Sequence, residues 1–242
     1  MLKREEHINL STFHSSMNLF PEQITFDNLE SIFIISPVRK STPENELEIK
    51  AYQRALQATG IESYYPLIDT NQNDSVGLTI SKTNKEAIKK RDEVHIYYEQ
   101  TSRGSFFDTG MSFYFNKPAY FINEDEMASE ILPQGKNNNH IYSQTAFAEF
   151  IRAYAYNVEG ENANRFTEDA FEQREKISKT NEPIPFTWDP QNSFSTFLFG
   201  MIYASGKEML IQNRADLRFS EGKVSFDNML INLDFSQRKN LF

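Results

Sequence analysis

The 242-residue chain contains no cysteine, which excludes a disulfide framework and a zinc site built on thiolates. Its four histidines, His7, His14, His95 and His140, are scattered without metal-ligand spacing. No apolar run approaches the roughly 20 residues that span a bilayer, and the N-terminus lacks the apolar core of a signal peptide. The sequence therefore predicts a cytoplasmic protein with no metal, no other cofactor and no membrane partner.

Positive charge is also scarce, with 25 Lys and Arg against 34 Asp and Glu and a net charge of −9. Nonspecific binding to nucleic acid depends on a cationic surface, so nucleic acid is not an expected partner. A small nucleotide stays compatible with this charge, because a local helix terminus dominates at contact range. What the chain does contain is 21 Phe, 11 Tyr and one Trp, enough for a well-filled core.

Apolar runs alternate with helical patterns through the first half of the chain. Ser31–Val38 is a continuous apolar run of the kind found in buried parallel strands. A helix is predicted from Pro43 to Gly60, a strand over Ile61–Ile68, and a second helix over Ile80–Arg91. This order predicts an α/β fold with a doubly wound parallel sheet of the Rossmann or flavodoxin type.

The stretch Asp92–Asn123 is the centre of this pattern. It contains an apolar strand, a polar turn, a helix-length run and a second strand, predicted at Val94–Tyr98, Gln100–Ser105, residues 106–115 and Ala119–Ile122. A strand followed by a glycine-bearing turn and a helix directs backbone N–H groups and the positive end of the helix dipole at one spot. Ligands of doubly wound sheets bind beyond the carboxyl ends of the strands, where this turn falls.

The turn residues Ser102, Gly104 and Ser105 suit an anion such as phosphate. Asp108 is expected in the first turn of the helix, facing the same crevice, where a carboxylate beside a phosphate suggests chemistry on a phosphorylated small molecule. Two interpretations are open for Asp108 at this point. It performs that chemistry, or it complements the helix dipole.

The chain divides into an N-terminal arm (1–30), an α/β domain (31–124) and a C-terminal part (125–242) that is either α/β or α+β. In the last part, helices are predicted at Ser143–Tyr154, Thr167–Lys179 and Phe194–Ala204, strands at Ile184–Trp188 and Glu208–Gln212, and a hairpin over Leu217–Asp234.

The C-terminal part also repeats residues of the α/β domain. An offset of 90 residues aligns Phe107 with Phe197, Gly110 with Gly200, Met111 with Met201, Lys117 with Lys207 and Asn123 with Asn213. Either the C-terminal part is a degenerate repeat, with Leu198 in the place of Asp108, or the identities are coincidental.

Residues 31–123 together resemble the nucleoside 2-deoxyribosyltransferase family, and most closely its 2′-deoxynucleoside 5′-phosphate N-hydrolase branch. The most specific part is the S-x-G-x-x-x-[acid]-x-G segment from Ser102 to Gly110, and Arg39 and Asp92 also fall on matching positions. Asp92 is therefore a candidate substrate-binding residue, or it caps the junction between helix and strand. The resemblance implies that Asp108 attacks C1′ of a deoxyribose and forms a glycosyl-enzyme intermediate, as in retaining glycosidases. It implies that Ser102, Gly104 and Ser105 hold a 5′-phosphate, reinforced by Arg39 and Arg103.

Three catalytic positions differ from the family pattern. Asp108 stands where the family has glutamate, Phe33 where it has tyrosine, and Asn84 where it has aspartate. The hypotheses are therefore an N-glycosidase acting on a nucleoside or its 5′-phosphate, or a nucleotide-binding sensor or assembly subunit without activity. A TIR-like NAD glycohydrolase is a weaker alternative. The expected partner is a small nucleoside or nucleotide, and a homo-oligomer or an internal pseudo-dimer would complete the site.

Overall fold

The computed structural model describes residues 29–38, 41–74, 77–99, 101–123, 163–186, 193–211, 217–220 and 223–226. Residues 1–28 of the predicted N-terminal arm, the helix predicted over Ser143–Tyr154, Trp188 and Asn213 lie outside these ranges. Within them, no helix is long and apolar enough to cross a membrane.

A parallel sheet of four strands forms the first half of the described chain. Its strands are β1 (Ser31–Ile35), β2 (Glu62–Tyr64), β3 (Glu93–Ile96) and β4 (Ala119–Phe121), in the order β2-β1-β3-β4. The connecting helices are α1 (Pro43–Ala58), α2 (Pro66–Asp69), α3 (Leu78–Lys90) and α4 (Arg103–Tyr114). The α/β class with a parallel sheet is confirmed.

Local sequence explains where most of these elements begin and end. Thr42 caps α1, because its hydroxyl accepts from the backbone N–H of Asn45 and Pro43 occupies the first turn. Gly60 follows the helix with φ 81°, a left-handed conformation that glycine adopts without steric cost. The strand predicted over Ile61–Ile68 is wrong in its second half, because Pro66 starts the short helix α2 instead.

The two faces of the first sheet bury different side chains. On one face, Ile32 and Ile34 pack with Ile49, Tyr52 and Leu56 of α1. On the other, alternate strand residues pack against α3 and α4 and against the second half of the chain, including Phe33, Ile35, Val94, Ile96, Phe121, Phe197, Met201 and Met209. The alternation follows from the two-residue period of a strand. It leaves α3 and α4 on one face and α1 on the other.

The second half contains α5 (Ala163–Lys179), β5 (Ile184–Phe186), α6 (Ser193–Ser205), β6 (Met209–Ile211), β7 (Leu217–Ser220) and β8 (Lys223–Phe226). These strands form a mixed sheet in the order β5-β6-β7-β8, in which β5 and β6 are parallel and the last two strands are antiparallel. The hairpin predicted from Leu217 is confirmed as far as Phe226. Helix α6 packs along α4 and joins the two halves.

Candidate functional site

Asp108 lies in the second turn of α4, because that helix begins at Arg103 and not after Ser105. The prediction that it sits in the first turn is therefore wrong. The same fact weakens the interpretation of Asp108 as a dipole-compensating residue, since the field of a helix terminus falls off within the first turn. The first turn of α4 carries no acidic residue.

The carboxylate of Asp108 faces α3 and is held by Asn84. The side-chain amide of Asn84 donates to Asp108 Oδ2 over 3.1 Å, and Asn84 itself is buried. Burial raises the pKa of Asp108 to about 7, although the hydrogen bond from Asn84 opposes the shift. Two predicted site residues 24 positions apart are thus brought together. A carboxyl group that titrates near neutral pH is suited to a chemical role.

A chain of hydrogen bonds leads away from this pair to the end of β2. The hydroxyl of the buried Thr70 donates to Asn84 Oδ1 over 2.9 Å, and Thr70 Oγ1 lies 2.7 Å from the hydroxyl of Tyr64. Since the one hydroxyl proton of Thr70 goes to Asn84, Tyr64 is the donor in that contact, and the backbone oxygen of Asp69 is a second acceptor 3.2 Å from the Tyr64 hydroxyl. All three donors therefore point toward Asp108. The arrangement fixes Asn84 so that its amide, and not its oxygen, faces the carboxylate.

Phe33 is not a chemical participant, which corrects its prediction as a catalytic position. Its side chain is fully buried in the core, and its ring stacks on Tyr64 with centroids 5.3 Å apart. Phe33 contributes by holding the ring of Tyr64, whose hydroxyl begins the chain toward Asp108. Neither Tyr64 nor Thr70 was predicted from the sequence to belong to the site.

The serine-rich turn forms the N-terminus of α4, as predicted. Ser102 and Ser105 are buried, and their hydroxyl oxygens lie 2.8 Å apart. A Cβ built on Gly104 has no described atom within 4 Å, so packing does not require a glycine there. Arg103 is the first residue of the helix, beside the backbone N–H groups that lack an acceptor within the helix.

A crevice lies between the ends of β3 and β4 and the first turns of α4. It has roughly 250 Å³ of empty space, open solvent included, and is lined by Ile96, Tyr98, Glu99, Ser105, Phe106, Thr109 and Phe121. Asp108 does not line it, because Thr109 and Ser105 share one face of α4 and Asp108 occupies the next. The expectation that the serines and Asp108 face the same crevice is therefore wrong, since Ser105 lines this crevice and Asp108 does not. They flank the start of α4 on adjacent faces.

Asp92 lies at the opposite edge of the sheet, which corrects its prediction as a substrate-binding residue. It precedes β3, and the parallel strands all begin at that edge. Its carboxylate accepts from the backbone N–H of Ser31 at 2.8 Å and of Glu30 at 3.2 Å. Asp92 therefore joins the starts of β1 and β3. Arg39 lies outside the described residues.

The second half of the chain places Tyr203 of α6 near Asp108, which was not predicted from the sequence. Burial raises the pKa of Tyr203 on α6 to about 12, helped by the charges of Glu86 and Asp108. The ring of Tyr203 lies 5.4 Å from that of Phe107, and Lys85 donates to the backbone oxygen of Tyr203 over 3.1 Å. The 90-residue alignment was the signal that could have pointed to this helix.

The remaining candidates have structural roles. The fully buried His95 contacts the hydroxyl of Tyr52 at 2.7 Å, on the α1 face of the sheet, and burial lowers its pKa. Asp69 accepts from the backbone N–H of Tyr65 at the start of α2. No cluster of His, Asp and Glu among the described residues is arranged to hold a metal ion.

Comparison of the chain with protein-family models, with curated proteins and with solved structures gives no significant match.

Proposed function

We propose that this protein is an N-glycosidase of the nucleoside 2-deoxyribosyltransferase type, which cleaves or exchanges the base of a deoxynucleoside or its 5′-phosphate. The observation that carries the proposal is the pairing of Asp108 with Asn84 on adjacent helices, with the pKa of Asp108 raised to about 7 by burial. The strand order and the placement of helices on both faces support a flavodoxin-like doubly wound sheet. Its ligand crevice would lie beyond the carboxyl ends of β1 and β3.

In this mechanism the ionised carboxylate of Asp108 attacks C1′ as the base departs, and water or a second base then releases the sugar. Asn84 holds the carboxylate by its amide and leaves the second oxygen of Asp108 for the sugar. The N–H groups of the first turn of α4, with Arg103 beside them, would hold the 5′-phosphate. Asn84 supplies no proton, so the leaving base must be protonated from solvent or substrate.

The test is release of free base from a panel of deoxynucleosides and their 5′-monophosphates. Asp108→Asn is expected to abolish release, and Asp108→Glu to retain or raise it. The carboxyl at the far edge of the sheet provides a matched control, since Asp92→Asn is expected to keep kcat/KM near wild type. Release by Asp108→Asn at the wild-type rate would refute the mechanism.

The pH dependence follows from the same carboxyl group. Because only the ionised form attacks, kcat/KM is expected to rise as pH increases through about 7 and to level off above it. A profile that is flat from pH 5 to 8 would contradict the assignment of Asp108 as nucleophile.

A nucleotide sensor is the second candidate, favoured by the amide at position 84, which cannot protonate a leaving base. The two functions separate in one experiment. A sensor shows a higher melting temperature with a deoxynucleoside monophosphate but releases no base, whereas the enzyme releases base and loses that activity on Asp108→Asn.

A further inference from the structure

The strand pairs on either side of the two long helices have the same register, shifted by 90 residues. Val94 pairs with Ala119 in the first sheet, and Ile184 pairs with Met209 in the second, and the next two pairs of each ladder follow the same shift. Helices α4 and α6 begin at Arg103 and Ser193, which are also 90 residues apart. The agreement covers both strands and the helix between them.

The turn after each helix repeats as well. Asn116 and Gly206, at equivalent positions, have φ angles of 57° and 72°, both in the left-handed region. The lysines that follow them, Lys117 and Lys207, each donate to a backbone carbonyl at the end of α3 and α5 respectively.

The contact between α4 and α6 is reciprocal. A Cβ on Gly110 would lie 2.0 Å from the backbone oxygen of Phe197, and a Cβ on Gly200 would lie 2.0 Å from the backbone oxygen of Phe107. Two helices can approach this closely only where neither carries a side chain at the crossing. Gly110 and Gly200 are thus equivalent under the 90-residue shift, and so are the two backbone oxygens that they face, those of Phe197 and Phe107.

Side chains around the crossing of α4 and α6 also make reciprocal contacts. The ring of Phe107 lies 5.4 Å from Tyr203, and the equivalent pair, Phe197 and Phe113, lies 5.5 Å apart. Lys85 of α3 donates to the backbone oxygen of Tyr203, and Arg174 of α5, one position before the equivalent of Lys85, donates to the backbone oxygen of Phe113. A surface in which residue i contacts j and j contacts i is the form of a two-fold dimer interface.

We infer that residues 168–211 are a second copy of residues 78–121, and that this copy acts as a built-in partner that closes the Asp108 site in place of another molecule of this chain. We call these ranges the second unit and the first unit. The second unit has Leu198 and Arg174 where the first has Asp108 and Asn84. It therefore keeps the interface but lacks the carboxylate. Its Tyr203 packs on Phe107, the neighbour of Asp108, and lies near enough for the charge of Asp108 to help raise the pKa of Tyr203.

The equivalence of the units can be tested by restoring the missing carboxylate. Leu198→Asp is introduced alone and together with Arg174→Asn, and the new carboxyl is titrated by carbon NMR. If position 174 faces position 198 as Asn84 faces Asp108, Arg174→Asn raises the pKa of the new carboxyl by about one unit or more, because it removes a neighbouring cation. Lys176→Asn, on the exposed side of α5, is the matched control and leaves that pKa unchanged. No shift with Arg174→Asn, or an equal shift with Lys176→Asn, overturns the equivalence.

The role of the second unit as a partner is tested by the titration of Asp108 itself, which requires no activity. Tyr203→Leu is expected to lower the pKa of Asp108 by about one unit, because water reaches the carboxyl group. Phe113→Leu removes the equivalent ring on the other side of the crossing and leaves that pKa unchanged. Tyr203→Met is a milder replacement for the same measurement. An unchanged pKa in the Tyr203 variants, or an equal shift in Phe113→Leu, overturns the inference, while base release tests the proposed function separately.

Discussion

The two sides of the α4–α6 crossing share their backbone contacts but differ in their chemistry. On the side of the first unit, Asp108 accepts a hydrogen bond from Asn84, and Tyr203 packs on the neighbouring Phe107. On the other side, Arg174 lies over the ring of Phe113 at 4.8 Å, and Leu198 packs against the core. The interface constrains glycines and rings on both sides, whereas the carboxylate is present on one side only. Comparing equivalent positions therefore separates residues kept for packing from residues kept for a site.

The largest effect is expected where the two sides are alike. Gly110→Ala and Gly200→Ala should each destabilise the protein by about 2–4 kcal/mol, because each new methyl group meets a backbone oxygen of the facing helix. Urea unfolding of the two variants would give these values. Gly104→Ala is the control in the same helix and should be stabilising by about 0.5–1 kcal/mol, since nothing described lies near its Cβ. Strongly unequal losses at the two crossing glycines would break the comparison.

The next largest effect on stability is expected at Asp108, which has no counterpart on the other side of the α4–α6 crossing. The folded state raises the pKa of Asp108, so its proton is bound more tightly than in the unfolded chain and stability falls as pH rises from about 4 to about 7. Asp108→Asn should therefore raise stability at pH 8 by on the order of 1–3 kcal/mol and have little effect at pH 4.

Asp92→Asn is the matched control for that measurement, with the opposite sign. Burial alone would raise the pKa of Asp92, but hydrogen bonds from Ser31 and Glu30 and the charge of Lys117 outweigh it and lower the pKa. Its contribution is present at neutral pH and is lost as pH falls, so the variant should be less stable at pH 8. Loss of stability at pH 8 in Asp108→Asn would contradict the account.

A smaller effect is expected from the hydrogen-bond chain that runs from Tyr64 through Thr70 to Asn84 of the first unit. Thr70→Val leaves Asn84 Oδ1 buried without its donor and should cost about 1–2 kcal/mol. It should also raise the pKa of Asp108, because Asn84 is no longer held with its amide toward the carboxylate. Thr70→Ser keeps the hydroxyl and should restore both values. Thermal unfolding and carbon NMR provide the two measurements, and a Thr70→Ser variant as impaired as Thr70→Val would argue against the chain.

The smallest effect should come from the two cations that bridge the units. Lys85→Met and Arg174→Met each remove a bond to a backbone oxygen and a contact with an aromatic ring, and each should cost about 0.5–1.5 kcal/mol. Only Lys85→Met should alter the pKa of Asp108, because Lys85 holds Tyr203. Equal changes of that pKa in both variants would remove the distinction between the sides.

Much of the fold could be predicted from local sequence. Periodic apolar runs and the capping residues of α1 are local signals. Asn84 and Asp108 were each predicted as site residues, but the hydrogen bond between them was not predicted. The first turn of α4 was misjudged because Arg103 and Gly104 are helical without apolar periodicity. Of the two interpretations of Asp92, the structural one agrees with the hydrogen bonds that it accepts from Glu30 and Ser31. The substrate-binding one failed because a motif match ignores which edge of a parallel sheet a residue occupies. The chain from Tyr64 through Thr70 depends on long-range packing.

The reach of Tyr203 toward Asp108 could not be predicted from either segment alone. It depends on two glycines, 90 residues apart, that allow α4 and α6 to cross at backbone distance. The identities at that offset were visible in the sequence. Their physical reason, a shared crossing point, became visible only with the contacts.

Peptide mapping of a trapped intermediate tests the central claim most directly. A deoxynucleoside monophosphate is mixed with the protein and quenched in acid, and the peptide that contains Asp108 is analysed by mass spectrometry. The account predicts a deoxyribosyl phosphate adduct on Asp108, absent in Asp108→Asn and unaffected by Asp92→Asn. Base release without label on Asp108, or label on another carboxylate, would contradict it.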